Sequence, residues 1–96
     1  MAQGVLKELG AKSILDFGCG YGMDVTFYRQ QGVAADGYDL EPKFGWAEIP
    51  KRSYDLVTAV YVVNVLPTLE DRLAAVRSAA AKVRPGGHLL LVARSE

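Results

Sequence analysis

The sequence predicts an α/β fold: one domain over residues 1–96, in three αβα layers around a reduced, mostly parallel sheet of about four strands. Three observations predict it. Ser13 to Asp24 reads as a short buried strand (Ile14 to Phe17), a loop with glycine at positions 18, 20 and 22, and the start of a helix. Strand-like and helix-like stretches then alternate, the pattern that right-handed crossovers turn into a parallel sheet. Half of the 96 residues are hydrophobic, which is enough for a genuine core at this length.

Composition narrows the function classes. A net charge of +0 gives no support for non-specific nucleic-acid or acidic-membrane binding. One cysteine excludes an internal disulfide and fits a reducing, cytoplasmic setting. No stretch reaches the length of a transmembrane helix, and Met1 to Gly10 has neither the basic start nor the apolar run of a signal peptide.

Val5, Leu6 and Leu9 give Met1 to Gly10 a weak amphipathic pattern ending at glycine. The glycine loop comes next. Alternating glycines let the backbone turn sharply and let a ligand approach the main chain without meeting a Cβ. A helix opening straight after it aims free N–H groups and a partial positive charge at the same space, the build of a nucleotide-type pocket. A dinucleotide fingerprint starting at Gly18 would need glycine at 23, where Met23 stands. The pattern here is Asp16-Phe17-Gly18-Cys19-Gly20-Tyr21-Gly22, with an acid two residues before the first glycine.

Asp24 to Gln31 reads as a helix with Val25 and Tyr28 on one face and Gly32 as its stop; Asp24 suits the helix dipole better than a ligand. Val33 to Tyr38 is the second strand, and Asp39 stands at its tip. An acid there can accept two hydrogen bonds from ribose hydroxyls, or it can cap the turn Leu40-Glu41-Pro42. Leu40 to Ser53 holds Pro42, Gly45 and Pro50, which leaves no room for a helix followed by a strand. The expectation is a loop with one helical turn around Phe44 to Ala47.

Tyr54 to Val60 is a β-branched strand in which Asp55 makes a structural hydrogen bond. Thr68 to Val83 is a helix, with Thr68 as cap, Asp71 three residues on, and an apolar stripe of Leu69, Leu73, Val76, Ala80 and Val83. Arg84-Pro85-Gly86-Gly87 ends it, and His88 to Ala93 is the last strand, with His88 a surface residue rather than a base.

Three motifs in this order, covering about residues 12 to 93, resemble the S-adenosylmethionine-dependent methyltransferases with a Rossmann-like fold. They are Asp-Phe-Gly-x-Gly-x-Gly, the Tyr-Asp-Leu-Val strand, and the helix followed by Arg-Pro-Gly-Gly and a Leu-rich strand. In family numbering the resemblance implies strand order 2-1-4-5, with the third strand and the C-terminal antiparallel strands missing. It implies S-adenosyl-L-methionine as cofactor, held by Asp16, Gly18, Cys19, Gly20, Gly22, Asp39, Leu40, Ala59 and Tyr61, with no metal. Trp46, Ala47 and Ile49 would cover the adenine, with core packing the alternative for Trp46. Tyr61 and Asn64 are the polar candidates on the side of an unknown methyl acceptor. The reaction needs no obligatory side-chain base. Gly-Cys-Gly-x-Gly-x-Asp-Val, Ala-Asp-Gly-Tyr-Asp and Tyr-Val-x-Asn-Val are also similar to methyltransferases associated with bacterial DNA phosphorothioation systems.

The strand Leu89 to Val92 would leave an apolar edge unpaired, so a homodimer through that edge, or else poor solubility, is expected. Two rival functions stay open: a cofactor-binding module (or a fragment of a larger methyltransferase) without transfer, and a nicotinamide-dependent oxidoreductase, which Met23 disfavours.

Overall fold

The computed structural model describes residues 10–19, 21–39, 43, 45–60 and 69–92. Its elements in chain order are β1 (Ser13–Phe17), α1 (Met23–Gln30), β2 (Ala34–Tyr38), β3 (Tyr54–Val60), α2 (Leu69–Ala80) and β4 (Val83–Val92). The strands form one parallel sheet in the order β2-β1-β3-β4. This is the expected 2-1-4-5 order with the chain's own strands numbered consecutively. Among the described residues no strand lies between β2 and β3, and residues 45–53 form neither helix nor strand.

Alternation along the strands divides the core. Ile14, Ala35 and Leu56 point to the layer of α1, where Val25 and Tyr28 meet them. Leu15, Phe17, Val57 and Ala59 point to the layer of α2, where Ala75 and Ala79 meet them, and Tyr54 joins them out of alternation because the ladder is irregular between Tyr54 and Leu56. All five residues of β1 are buried, as expected of a central parallel strand covered on both faces. The parallel order and the helical layers agree with the Rossmann-like expectation.

Two expectations about the second half are corrected. The buried face of α2 is Ala75 and Ala79, whereas Leu69 is 70% exposed, Leu73 45% exposed, and Ala80 exposed. Small side chains let the helix lie close on β3 and β4, which turns the larger leucines to its flank. The helix also stops at Ala80 rather than Val83, its last turn closed by Ala81 N–H to Arg77 O and Lys82 N–H to Ala79 O.

The second correction is that Arg84-Pro85-Gly86-Gly87 is part of a strand. Val83 pairs with Tyr54 and His88 with Leu56, so β4 advances five residues while β3 advances two. Proline has no N–H for a ladder and is tolerated at such an irregularity on an edge strand. Asp55 pins the bulge. Its carboxylate accepts hydrogen bonds from Arg84 Nε and, at 2.8 Å, from the backbone N–H of Lys12, and its own N–H donates to Ser13 Oγ at 2.9 Å. The structural hydrogen bond expected of Asp55 is therefore present. His88 is exposed, as expected.

Smaller shifts are one residue each: β2 starts at Ala34, and α1 runs from Met23 to Gln30 before Gly32. Several expectations lie outside the described residues: the helix over residues 1–9, Gly20, Leu40, Phe44, the segment 61–67 with Tyr61 and Asn64, the Thr68 cap, and Ala93.

Candidate cofactor site

The site is built at the carboxyl ends of β1 and β2. As β1 ends, the Gly18 N–H donates to the carbonyl of Tyr38 at 2.6 Å and the Cys19 N–H donates to the same oxygen at 3.1 Å. The loop is thereby stitched to the tip of β2, one residue before Asp39. Gly22 then starts α1 with φ 84, a left-handed conformation that a residue with a Cβ adopts only at a cost. A Cβ there would also stand 2.7 Å from the Trp46 ring. The half-buried Trp46 indole lies against Gly22 and packs on the α1-side core, with the Arg29 guanidinium 5.6 Å from its ring centroid. Its carbonyl accepts the Asp39 N–H at 3.0 Å, which fixes the backbone of the acid at the strand tip.

One row of residues runs across the sheet just below the loop. Asp16 of β1 is in register with Gly37 of β2 and Thr58 of β3, and Thr58 with Leu90 of β4. Gly37 is glycine for a packing reason, since a Cβ there would lie 2.6 Å from Cys19 Sγ. Cys19 therefore folds onto β2 beside Asp16. On the other side Thr58 Oγ1 donates to Asp16 Oδ1 at 3.1 Å.

Asp16 is only 8% exposed, and its carboxyl is pushed up to about 6. Burial is the main cause, the Thr58 hydrogen bond opposes it, and the charges of Asp24 and Asp39 add to it. The same surroundings push the Cys19 thiol up to about 12, by burial first and then by Asp16 and Asp39. A thiol so far from its thiolate is packing material, not a nucleophile. Three carboxylates thus bear on the space beside a glycine loop, a poor setting for an anion and a good one for a cation.

Of the expected cofactor residues, the structure brings together Asp16, Gly18, Cys19, Gly22 and Asp39. Ala59 is 1% exposed and packed into the α2-side core, so its side chain is not presented to the crevice. Thr58 was not among the expected residues. Its signal in the sequence was a hydroxyl inside the apolar run Leu56-Val57-Thr58-Ala59-Val60, and register alone shows that it faces Asp16. A separate cavity of about 250 Å³ lies on the opposite face, lined by Phe17, Tyr38, Ile49, Asp71, Ala74, Ala75 and Ser78. Ile49 of the expected adenine cover lines this cavity. Among the described residues no cluster of His, Cys, Asp or Glu could hold a metal ion.

The family model described as "Methyltransferase domain" matches residues 2–95. This chain belongs to the methyltransferase-domain family. The ubiquinone biosynthesis O-methyltransferase of Aliivibrio fischeri strain MJ11 is 31% identical over 104 residues, covering 84% of this chain and 43% of that protein. Among solved structures the chain is similar to CalS10 bound to S-adenosylmethionine, an amino pentose methyltransferase from Micromonospora echinaspora involved in calicheamicin biosynthesis. The TM-score is 0.80 at 25% identity, over 98% of this chain and 50% of that one. A methyltransferase from Geobacter sulfurreducens, solved with S-adenosyl-L-homocysteine, shares the fold at TM-score 0.54 and 18% identity, over 93% of this chain and 47% of that one. The chain thus spans about half the length of the methyltransferases it matches.

Proposed function

We propose that residues 1–96 form an S-adenosylmethionine-binding unit that transfers a methyl group to an acceptor. The observation that carries the reading is the set of carboxylates near the glycine loop, with buried Asp16 feeling the charges of Asp24 and Asp39. S-adenosylmethionine brings a sulfonium and an ammonium, and the carboxylates supply the matching charge. A dinucleotide would bring its pyrophosphate to the same acids, so the charge pattern disfavours a nicotinamide cofactor.

In this reading Gly18, Cys19, Gly20 and Gly22 present main chain to the cofactor, Asp39 accepts the ribose hydroxyls, and Asp16 faces its positive end. Leu40, Tyr61 and the main chain of Ala59 complete the contacts, and Tyr61 and Asn64 flank the acceptor. The cofactor supplies an activated methyl on its sulfonium; the protein's part is to bind, align and exclude water. A homodimer through β4 and a cytoplasmic location belong to the same proposal. The described helices include none long and apolar enough to cross a membrane.

Titration calorimetry with S-adenosyl-L-homocysteine and with NAD tests the reading. Saturable binding of the first and none of the second is expected, and the reverse overturns it. Asp39→Ala is expected to weaken the first about tenfold or more with the fold intact, as loss of charge-assisted bonds implies. A binding module without transfer is the second reading, because the described cofactor residues provide for binding and the reaction asks for no side-chain base that would mark transfer. Labelled methyl transfer to a panel of acceptors separates the two.

A further inference from the structure

We propose that Thr58 is a positioning residue for the cofactor site, acting through Asp16: its hydroxyl orients the buried carboxylate and favours the anionic form that faces the cofactor's cation. The proposal rests on the cofactor reading above, and its geometry is independent of that reading. Thr58 is 2% exposed in the middle of β3, where a hydroxyl needs a reason. Its Oγ1 donates to Asp16 Oδ1 at 3.1 Å, with the carbonyl of Leu15 a longer alternative at 3.5 Å. The two residues are a register pair in adjacent parallel strands, so the contact is fixed by the sheet rather than by a loop.

The groups facing Asp16 come from every element around it. From α1 come Asp24 and Tyr28, from the tip of β2 Asp39, from the glycine loop Cys19, and from β3 Thr58. β4 adds only the apolar Leu90 in register with Thr58. Each of the two acids opposes ionisation of Asp16, and so does burial; the Thr58 hydroxyl is the group that favours it. An arriving cation has the same sign of effect as the hydroxyl and a larger one. Binding is therefore coupled to proton release from Asp16, and affinity rises with pH through the window in which the free carboxyl titrates.

The test uses two readouts on the intact protein. The ¹³C shift of the Asp16 carboxyl, followed without ligand, is expected to titrate near 6 in the wild type, higher in Thr58→Val, and back near the wild-type midpoint in Thr58→Ser. Calorimetry with S-adenosylmethionine is expected to give a dissociation constant about tenfold weaker at pH 5 than at pH 7, as linkage to one carboxyl requires. In Asp16→Asn that pH dependence is lost. A residue that only filled space would change stability in Thr58→Val and leave the carboxyl midpoint where it was. That unchanged midpoint overturns the proposal, as does an unchanged pH dependence in Asp16→Asn. Failure of S-adenosylmethionine to bind at any pH overturns the cofactor reading instead, and is told apart because the carboxyl titration needs no ligand.

Discussion

At the scale of single residues, the site holds a conflict between binding and stability, centred on Asp16. Its folded carboxyl titrates near 6 against 3.8 for an ordinary aspartate, so the folded chain holds the extra proton between those values. Stability therefore falls as pH rises through that window, and the whole penalty is present above it. Asp16→Asn is expected to stabilise the ligand-free protein at pH 7 by about 1–3 kcal/mol, the worth of a shift of this size. The gain should nearly vanish at pH 4, where the wild-type carboxyl is already protonated in the fold. Thermal melts at the two pH values measure it. An equal gain at both would mean that the charge is not what costs. Gly37 makes the converse case, because Gly37→Ala drives a Cβ onto Cys19 Sγ and Val25. A loss of about 1–3 kcal/mol in chemical denaturation is expected, and the double variant with Cys19→Ala should recover part of it. The acid at position 16, the glycine loop and Asp39 were legible because backbone chemistry restricts what can stand there. Thr58 and Gly37 were not, because their roles depend on which strands are neighbours.

At the scale of elements, periodicity found every helix and strand among the described residues and misread one face. Leu69, Leu73, Val76 and Ala80 make the most hydrophobic line along α2, yet the line that meets the sheet is Ala75 and Ala79. Hydrophobicity ranks faces by transfer energy, whereas close approach of a helix to a sheet selects small side chains. Ala79→Leu is therefore expected to cost about 1–3 kcal/mol by overpacking, while Leu73→Gln stays within about 0.5 kcal/mol. Denaturation midpoints decide between the two faces, and a larger loss at Leu73 would restore the stripe as the packing surface. The bulge in β4 was hidden for a related reason. Arg-Pro-Gly-Gly reads locally as a break, and the pairing of Val83 and His88 on either side of it, with the Arg84–Asp55 contact, keeps it in the sheet.

At the scale of the whole molecule, the sheet ends differently on its two sides. The outer side of β2 is crossed by the Arg29 side chain, whose Nε donates to Ala35 O at 2.8 Å and whose guanidinium pairs with Asp36. Among the described residues no strand pairs with the outer side of β4, the longest strand at ten residues. Leu91, in register with Ala59 and so on the α2 face, is 45% exposed. Leu69 and Leu73 are exposed in that same layer, so open main-chain groups and unburied leucines occur together. The proposed homodimer answers both at once: two β4 strands pairing antiparallel about a two-fold axis would satisfy the edge and cover Leu91. The segment from Leu89 to Val92 carries no charge to oppose its own copy. Leu91→Lys places like charges near that axis and is expected to convert a dimer into a monomer in sedimentation. Stability of the isolated chain should change little, since an already exposed side chain is replaced. A wild-type chain that sediments as a monomer, with β4 amides exchanging fast, rules the pairing out and leaves the cofactor site untouched, since Asp16, Gly18 and Asp39 stand on β1, its loop and the tip of β2.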